Sequence, residues 1–316
     1  MAILIIGQSA DPHVSSVTKI LAQQGVRHHV IDCYGPSHLH FEYSPAPAIT
    51  VDGQTITAND IDLVWWRLKP PLDQSKLPEF EDLQEEAHWK AQWRAALESI
   101  EYIFAGAATI NGHQARRVGS FKAVQLVAAS EAGFEIPQTC ISNDPSKLTS
   151  PFPDGVFFKS LSAVPYYRHS INYTHIFEHK ELTNLAESIR VNPAIYQEII
   201  AKKYELRVCV FGSDIHAYKI DSQKNKKTQT DWRMAIDDSM FEEIEFESEN
   251  AEKCHAFMQK MQLDCGIFDF AVKGDGELVF FEVNVDGQWF WLDRLFNGVL
   301  SKSFAQMIFH KIESVR

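Results

Sequence analysis

Cations are scarce in this chain. Against 42 aspartates and glutamates stand 30 lysines and arginines, a formal net charge of −12. That shortage argues against non-specific nucleic-acid binding, which needs a basic footprint. A polyanion could be held only in a locally basic cleft, by a few identifiable side chains. Thiols are also few. The five cysteines, Cys33, Cys140, Cys209, Cys254 and Cys265, are odd in number and scattered, with no C-x-x-C pair. They offer no basis for a disulfide framework or a thiolate zinc site. No apolar run approaches the ~18 residues of a membrane span. The apolar start, residues 2–6, has no basic stretch before it and turns polar at Gln8, so it does not read as a signal peptide. A cytoplasmic protein with neither nucleic-acid nor membrane partners is expected. Glycine (15) and proline (13) are too few for a low-complexity chain. With 45% hydrophobic and 23% charged residues, the 316-residue chain suits two packed globular subdomains.

Strand, helix, strand is the expected order over residues 2–6, 11–24 and 27–32, an α/β unit with a parallel pair. Asp52-Gly53 marks a hairpin turn between residues 49–51 and 54–57. Residues 63–66 form a further apolar strand that ends at Arg67. Residues 79–104 show an amphipathic helix, with Trp89, Trp93 and Leu97 expected in the core. A boundary is placed near residue 110. Beyond it, helices are expected over 121–132, 182–190, 249–261 and 300–312. Strands are expected over 155–159, 163–167, 194–200, 205–211, 215–220, 267–272 and 278–284. Residues 222–230 read as a polar, lysine-rich loop.

The chain lacks G-x-x-x-x-G-K-[ST], G-x-G-x-x-G and G-x-S-x-G, which removes three familiar active-site readings by motif. His175 to His179 matches H-x-x-E-H, yet residues 173–177 are β-branched and aromatic, and a helix is expected only from near Lys180. A strand end is therefore expected in place of a zinc-binding helix. The C-terminal hairpin says more. Asp269 sits in Ile-Phe-Asp-Phe-Ala-Val, and Glu282 and Asn284 sit in Phe-Phe-Glu-Val-Asn. Glu282 and Asn284, two apart, share a sheet face, and the hairpin can bring Asp269 alongside. Three hard-oxygen side chains on one face suit Mg²⁺. Carboxylates in such apolar strands need partners. Lys159 ends an apolar strand, Arg207 shares a face with Glu205, and Arg233 follows Asp231-Trp232. Together with the hairpin these would make a triphosphate cradle.

The order of these motifs, with Tyr-Gln-Glu-Ile-Ile at 196–200 and Glu-Leu-Arg-Val at 205–208, resembles the ATP-grasp ligases. Asp221-Ser222-Gln223, Thr230-Asp231-Trp232-Arg233 and 287–292 (Gly-Gln-Trp-Phe-Trp-Leu) are similar to the microviridin-type branch, which matures ribosomally made peptides (graspetides). Val64-Trp65-Trp66-Arg67 fits that branch's N-terminal domain. The resemblance implies an α/β (α+β) ATP-grasp fold. Its parts would be a pre-ATP-grasp domain (1–110), a central lid part (about 111–200) and a catalytic part (about 201–316). It also implies roles. Lys122 and Lys159 would contact ATP phosphates. Gln197, Glu198, Ile199 and Ile200 would form the hinge beside adenine, and Glu205 would hold ribose. Arg207 and Arg233 would stabilise the transferred phosphoryl group, and Asp269, Glu282 and Asn284 would bind Mg²⁺.

The implied partner is a precursor peptide, leader plus core, closed into a macrolactam or macrolactone through an acyl phosphate. Proximity within one bound peptide would do much of the catalysis. Lys224, Lys226 and Lys227 would dock an acidic peptide segment, with Asp231, Trp232, Gln288 and Trp289 as further substrate-side candidates. Trp289 to Trp291 would wall the acceptor pocket or belong to the core. Members of the family are often dimers, so a homodimer is an expectation of resemblance alone. Two departures stand out: Val285 replaces the usual proline after the metal-binding asparagine, and residues 160–167 contain no glycine. A ligase for free small molecules or a protein tail, and a catalytically inactive nucleotide-binding partner, are the alternative readings.

Overall fold

The structure is a computed structural model and describes residues 1–34, 38–69, 77–148, 150–161 and 175–314. β1 (Ala2–Gly7) leads through α1 (Pro12–Gln23) to β2 (Arg27–Asp32). A small antiparallel sheet follows, made of β3 (Leu39–Glu42), β4 (Ala48–Val51) and β5 (Gln54–Thr57). Then come β6 (Leu63–Trp66), the long helix α2 (Leu83–Ile103) and β7 (Ala108–Ile110). β1 lies between β2 and β6, with β7 beside β6, all parallel. Every residue of β1 is buried because both faces are covered, as parallel sheets require. Ile3 and Ile5 face α1 and the C-terminal helix, while Leu4 and Ile6 face α2. Asp52 and Gly53 both adopt positive φ, as a tight hairpin turn demands. Trp89 and Trp93 depart from expectation. They are only half-buried, tilted against Tyr34, with Trp93 packed on the edge of the core, while Leu97 and Ile100 are fully buried in it.

Next come α3 (His113–Gly119), α4 (Lys122–Glu131), β8 (Thr139–Ser142), β9 (Val156–Lys159) and β10 (His175–Phe177), then α5 (His179–Asn184), α6 (Ala186–Val191) and β11 (Ala194–Gln197). The four strands form an antiparallel sheet, ordered β10-β9-β11-β8, over a small core around Phe152, Leu182 and Tyr196. The helix expected over 182–190 is two short helices that meet at Leu185. The strand expected over 163–167 lies outside the described residues. His175 is on β10 and His179 opens α5, so the two are not one turn apart on a helix.

The last part holds β12 (Lys202–Phe211), β13 (Asp214–Ile220), β14 (Phe241–Ile244), α7 (Ser248–Met261), β15 (Cys265–Lys273), β16 (Leu278–Asn284), α8 (Phe290–Leu295) and α9 (Val299–Glu313). Its five strands are antiparallel, in the order β14-β13-β12-β15-β16. One face is apolar along its length: Leu206, Val208, Phe268, Phe270, Phe280 and Val283 pack with α4 and α7. The opposite face is divided. Cys209, Phe211, Cys265 and Ile267 pack against α8, α9 and the first sheet. Further along the same strands, that face carries Glu205, Arg207 and Asp269. No described helix is long and apolar enough to cross a membrane.

Candidate active site

Arg207, Asp269 and Glu282 stand opposite one another on β12, β15 and β16. A bulge in β16 makes this possible. The pairing steps from Phe270↔Phe280 to Asp269↔Glu282, so Phe281 is the extra residue. Strict alternation would put Glu282 on the core face with Phe280; the additional residue turns Glu282 and Asn284 to the other face. β16 is the edge of the sheet, and α4 covers it. Buried Gln125 donates to the Val283 carbonyl at 2.8 Å and accepts from the Val283 N–H at 2.9 Å. The backbone between the two candidate metal ligands is thereby satisfied.

Arg207 is buried. Its Nη1 donates to Asp269 Oδ1 at 2.8 Å and its Nη2 to the Gln288 carbonyl at 2.9 Å. Asn284 donates to Asp269 Oδ2 at 2.9 Å and reaches Glu282 Oε1 at 3.5 Å. Lys122, the first residue of α4, brings Nζ within 3.3 Å of Glu282 Oε2. Lys159, at the end of β9, holds Nζ 4.8 Å from the Phe281 ring centroid, a cation–π arrangement. Lys202, which lies in the same cluster, donates to Glu205 Oε1 at 2.8 Å. Both members of that pair are nearly excluded from solvent.

Burial and charge split the two carboxylates. Burial pushes Asp269 up to about 6, only partly offset by Arg207. Burial also acts upward on Glu282, but Lys122 and Lys159 outweigh it and hold that group at about 2. Desolvation draws the Lys159 ammonium down to about 8 against the pull of Glu282. Among the described residues no three His, Cys, Asp or Glu side chains converge for a metal. A divalent-cation site here would consist of two carboxylates and the Asn284 amide. This donor set fits Mg²⁺: the ligands are hard oxygens, and the penalty on ionised Asp269 is the kind that a cation removes.

The remaining candidates surround this centre. Asp231 is buried and forms a two-pronged pair with Arg233, at 2.8 Å from Nε and 2.5 Å from Nη2. The Asp231 hydrogen bond first, and the charges of Glu282 and Asp269 after it, raise the Arg233 pKa above its ordinary value. Trp232 lies beneath the Arg207 guanidinium, 5.9 Å from ring centroid to Cζ. Gln197 is buried and donates to Thr139 Oγ1 at 2.9 Å. The Glu198 carboxylate accepts from the Gln138 N–H at 2.7 Å; Ile199 and Ile200 are half-buried beside it. Trp289 is 3% exposed and packs on Phe211 and Phe304, so of the two expectations for it the core holds. Trp291 is half-buried against Trp232 and Phe241. Lys224, Lys226 and Lys227 are exposed, and Lys224 pairs with Asp221 at 2.5 Å.

Sequence reasoning missed a buried clasp beside this centre. Arg67, at the end of β6, donates from Nε to Asp11 Oδ2 at 3.0 Å, from Nη1 to the carbonyls of Asp286 and Gly287 at 2.9 and 3.1 Å, and from Nη2 to Gln288 Oε1 at 3.1 Å. Two signals were available: Arg67 closing Val64-Trp65-Trp66-Arg67, read only as a motif of the N-terminal domain, and Asp-Pro-His at the start of α1, where Asp11 caps the helix. Asn111 was missed too. It sits at positive φ and ties Asp264, Cys265 and Val285 together through its amide. Lys202 escaped notice because a register shift between Lys202 and Tyr204 sets its facing.

Comparison with known proteins finds no matching family model and no matching curated sequence. Solved structures do match over nearly the whole chain. An ATP-grasp ligase associated with ribosomally made, modified peptides, from Chryseobacterium gregarium, was solved with ADP and a leader and core peptide. It shares 24% identity at a TM-score of 0.82, covering 98% of this chain and 97% of that one. Macrocyclase MdnC from Microcystis aeruginosa MRC, bound with precursor peptide MdnA, shares 23% identity at 0.82, covering 98% and 100%. ATP-grasp ligase PsnB, complexed with a minimal precursor, Mg and ADP, shares 20% identity at 0.73, covering 98% of each chain. By these likenesses and by its own sheets, the chain has the ATP-grasp fold with an N-terminal pre-ATP-grasp α/β part.

Proposed function

We propose that this chain is an ATP-dependent carboxylate ligase that closes side-chain macrocycles in a ribosomally made precursor peptide. The observation that carries the reading is the row Arg207–Asp269–Glu282, flanked by Asn284, Lys122 and Lys159. It sits in a fold shared with enzymes solved with their precursor peptides, two of them also with ADP. Residues 1–110 form the pre-ATP-grasp domain, about 111–200 the lid part and about 201–316 the catalytic part.

In this reading Lys122 and Lys159 neutralise ATP phosphates, Gln197 to Ile200 line the adenine, and Glu205, oriented by Lys202, takes the ribose. Asp269, Glu282 and Asn284 hold Mg²⁺, which when bound would spread charge off phosphate oxygens. Arg207 donates toward charge that develops as a peptide carboxylate becomes an acyl phosphate, and Arg233 does so from the opposite wall. An amine or hydroxyl of the same peptide then displaces phosphate. No enzyme nucleophile is needed, because the attack is intramolecular.

The test is ADP release with Mg-ATP, run against acidic Thr/Ser/Lys-bearing peptides and separately against free amino acids. Stimulation by peptides, with products lighter by one water per bond, is expected. Stimulation by amino acids alone would transfer the reading to a small-molecule ligase. ATP binding with no turnover in either arm would favour the inactive partner.

A further inference from the structure

We propose that His13, held by Asp11 and Arg67, is a positioning residue for Arg207, acting through a single peptide bond. The Gln288–Trp289 peptide is the link. Its carbonyl accepts from Arg207 Nη2 at 2.9 Å, and its N–H donates to His13 Nε2 at 3.0 Å. The next N–H, of Phe290, donates to the same nitrogen at 3.0 Å. Two donors on Nε2 require it to carry the lone pair, so the proton sits on Nδ1. That N–H donates to Asp11 Oδ1 at 2.7 Å; Arg67 Nη2 lies 2.9 Å from Nδ1, and with Nδ1 protonated its hydrogens serve Gln288 Oε1 at 3.1 Å. The second Asp11 oxygen accepts from Arg67 Nε, and Arg67 in turn grips the carbonyls of Asp286 and Gly287. Asp11, His13 and Arg67 are each 3–6% exposed. The imidazole also meets the Trp289 ring edge-on at 4.7 Å.

The sequence separation is large, 276 residues between His13 and Trp289. The first sheet thus reaches across the molecule to fix one peptide plane in the 286–290 segment. The backbone leaves no slack there. A Cβ on Gly287 would stand 2.7 Å from Ile267 Cβ, so only glycine lets the segment lie so close to β15. A peptide plane held at both ends cannot rotate. Release the N–H end and the carbonyl is held only by Arg207 and, at 3.2 Å, by Trp291 Nε1, a looser hold that lets it turn from Arg207, whose remaining described hydrogen bond is to Asp269. Side chains that orient a catalytic group commonly act this way, through the partner that the group needs.

The test compares His13→Gln, whose Oε1 can take the place of the Nε2 lone pair, with His13→Leu, which has no acceptor. The first readout needs no substrate: the guanidinium N–H signals of Arg207 by NMR in the ligand-free protein. Slow rotation and exchange at Nη2 are expected in the parent and in His13→Gln, and fast averaging in His13→Leu. The second readout rests on the ligase reading above: kcat with the peptide that stimulates the parent. It should fall about 100-fold in His13→Leu, with peptide and ATP KM within about threefold, and recover largely in His13→Gln. If His13→Leu does not fold, Arg67→Lys, which keeps the charge but cannot bridge these acceptors, replaces it in both readouts. Unchanged Arg207 signals in the acceptor-free variant would overturn the proposal. Failure of the parent with every peptide would strike the ligase reading and leave the NMR result to decide the positioning.

Discussion

The parallel sheet and the five-stranded antiparallel sheet contribute to the cleft in opposite ways. The parallel sheet is covered on both faces, and β1 is buried throughout. It has no open face to carry chemistry and delivers polar groups only beyond its strand ends, with Asp11 and His13 after β1 and Arg67 after β6. Ligand-facing groups in open parallel sheets lie at such carboxyl ends for this reason. The antiparallel sheet gives part of one face to the cleft and presents Glu205, Arg207, Asp269, Glu282 and Asn284 directly from its strands. Side chains set by strand register are rigid; those set by loops need anchors from elsewhere. The clasp from the parallel sheet onto residues 286–290 is such an anchor.

Breaking the strand-borne row should have the largest effect. Arg207→Ala and Glu282→Ala are expected to lower ligation by about 10³-fold or more while leaving circular dichroism close to the parent. Normal product from either variant would remove the site assignment. Gln125→Leu probes what keeps the edge strand in register. It leaves the Val283 N–H and carbonyl without their partners, at about 1–3 kcal/mol. Chemical denaturation should show that loss, together with reduced ligation, because Val283 lies between Glu282 and Asn284.

The clasp should show itself in pH dependence. Burial first, then neighbouring Arg67 and Lys69, hold the His13 pKa below the ordinary 6.5, against the upward pull of Asp11. Below about pH 6.5 the unfolded chain therefore binds a proton that the folded chain resists, so His13 makes stability fall with acidification. Unfolding free energies across pH 5–8 should give a shallower acid slope for His13→Gln; an identical slope would remove His13 as a contributor. The smallest structural effect is expected from Lys224, Lys226 and Lys227 changed together to Ala. Stability should move by no more than about 0.5 kcal/mol, whereas affinity for an acidic peptide should drop, most visibly at low salt. Unchanged affinity would end the docking role of that loop.

The contrast between the sheets also explains what could be read in advance. Short-period signals were legible. The β1–α1–β2 order, the Asp52-Gly53 turn, α4, α7, α9 and the hairpin bearing Asp269, Glu282 and Asn284 all follow from alternation, helical spacing and turn chemistry within a dozen residues. Four-residue elements with neither a turn signal nor an apolar run beside them, β3, β8 and β14, and the short α8 carry too little pattern to be seen. Trp89 and Trp93 share helical spacing with Leu97, but nothing in that spacing says how far along α2 the core extends.

Sequence alone determined that this is an α/β chain whose few well-placed cations and carboxylates suit nucleotide chemistry, because residue type and local period dictate strands, turns and ligand hardness. Only the tertiary structure decided which of those groups meet. The bulge at Phe281 turned Glu282 to the cleft, Lys202 paired with Glu205, and Trp289 went to the core. His13 joined a peptide 276 residues away. Such contacts depend on sheet register and on the packing of one sheet against another, which no local window of the chain contains.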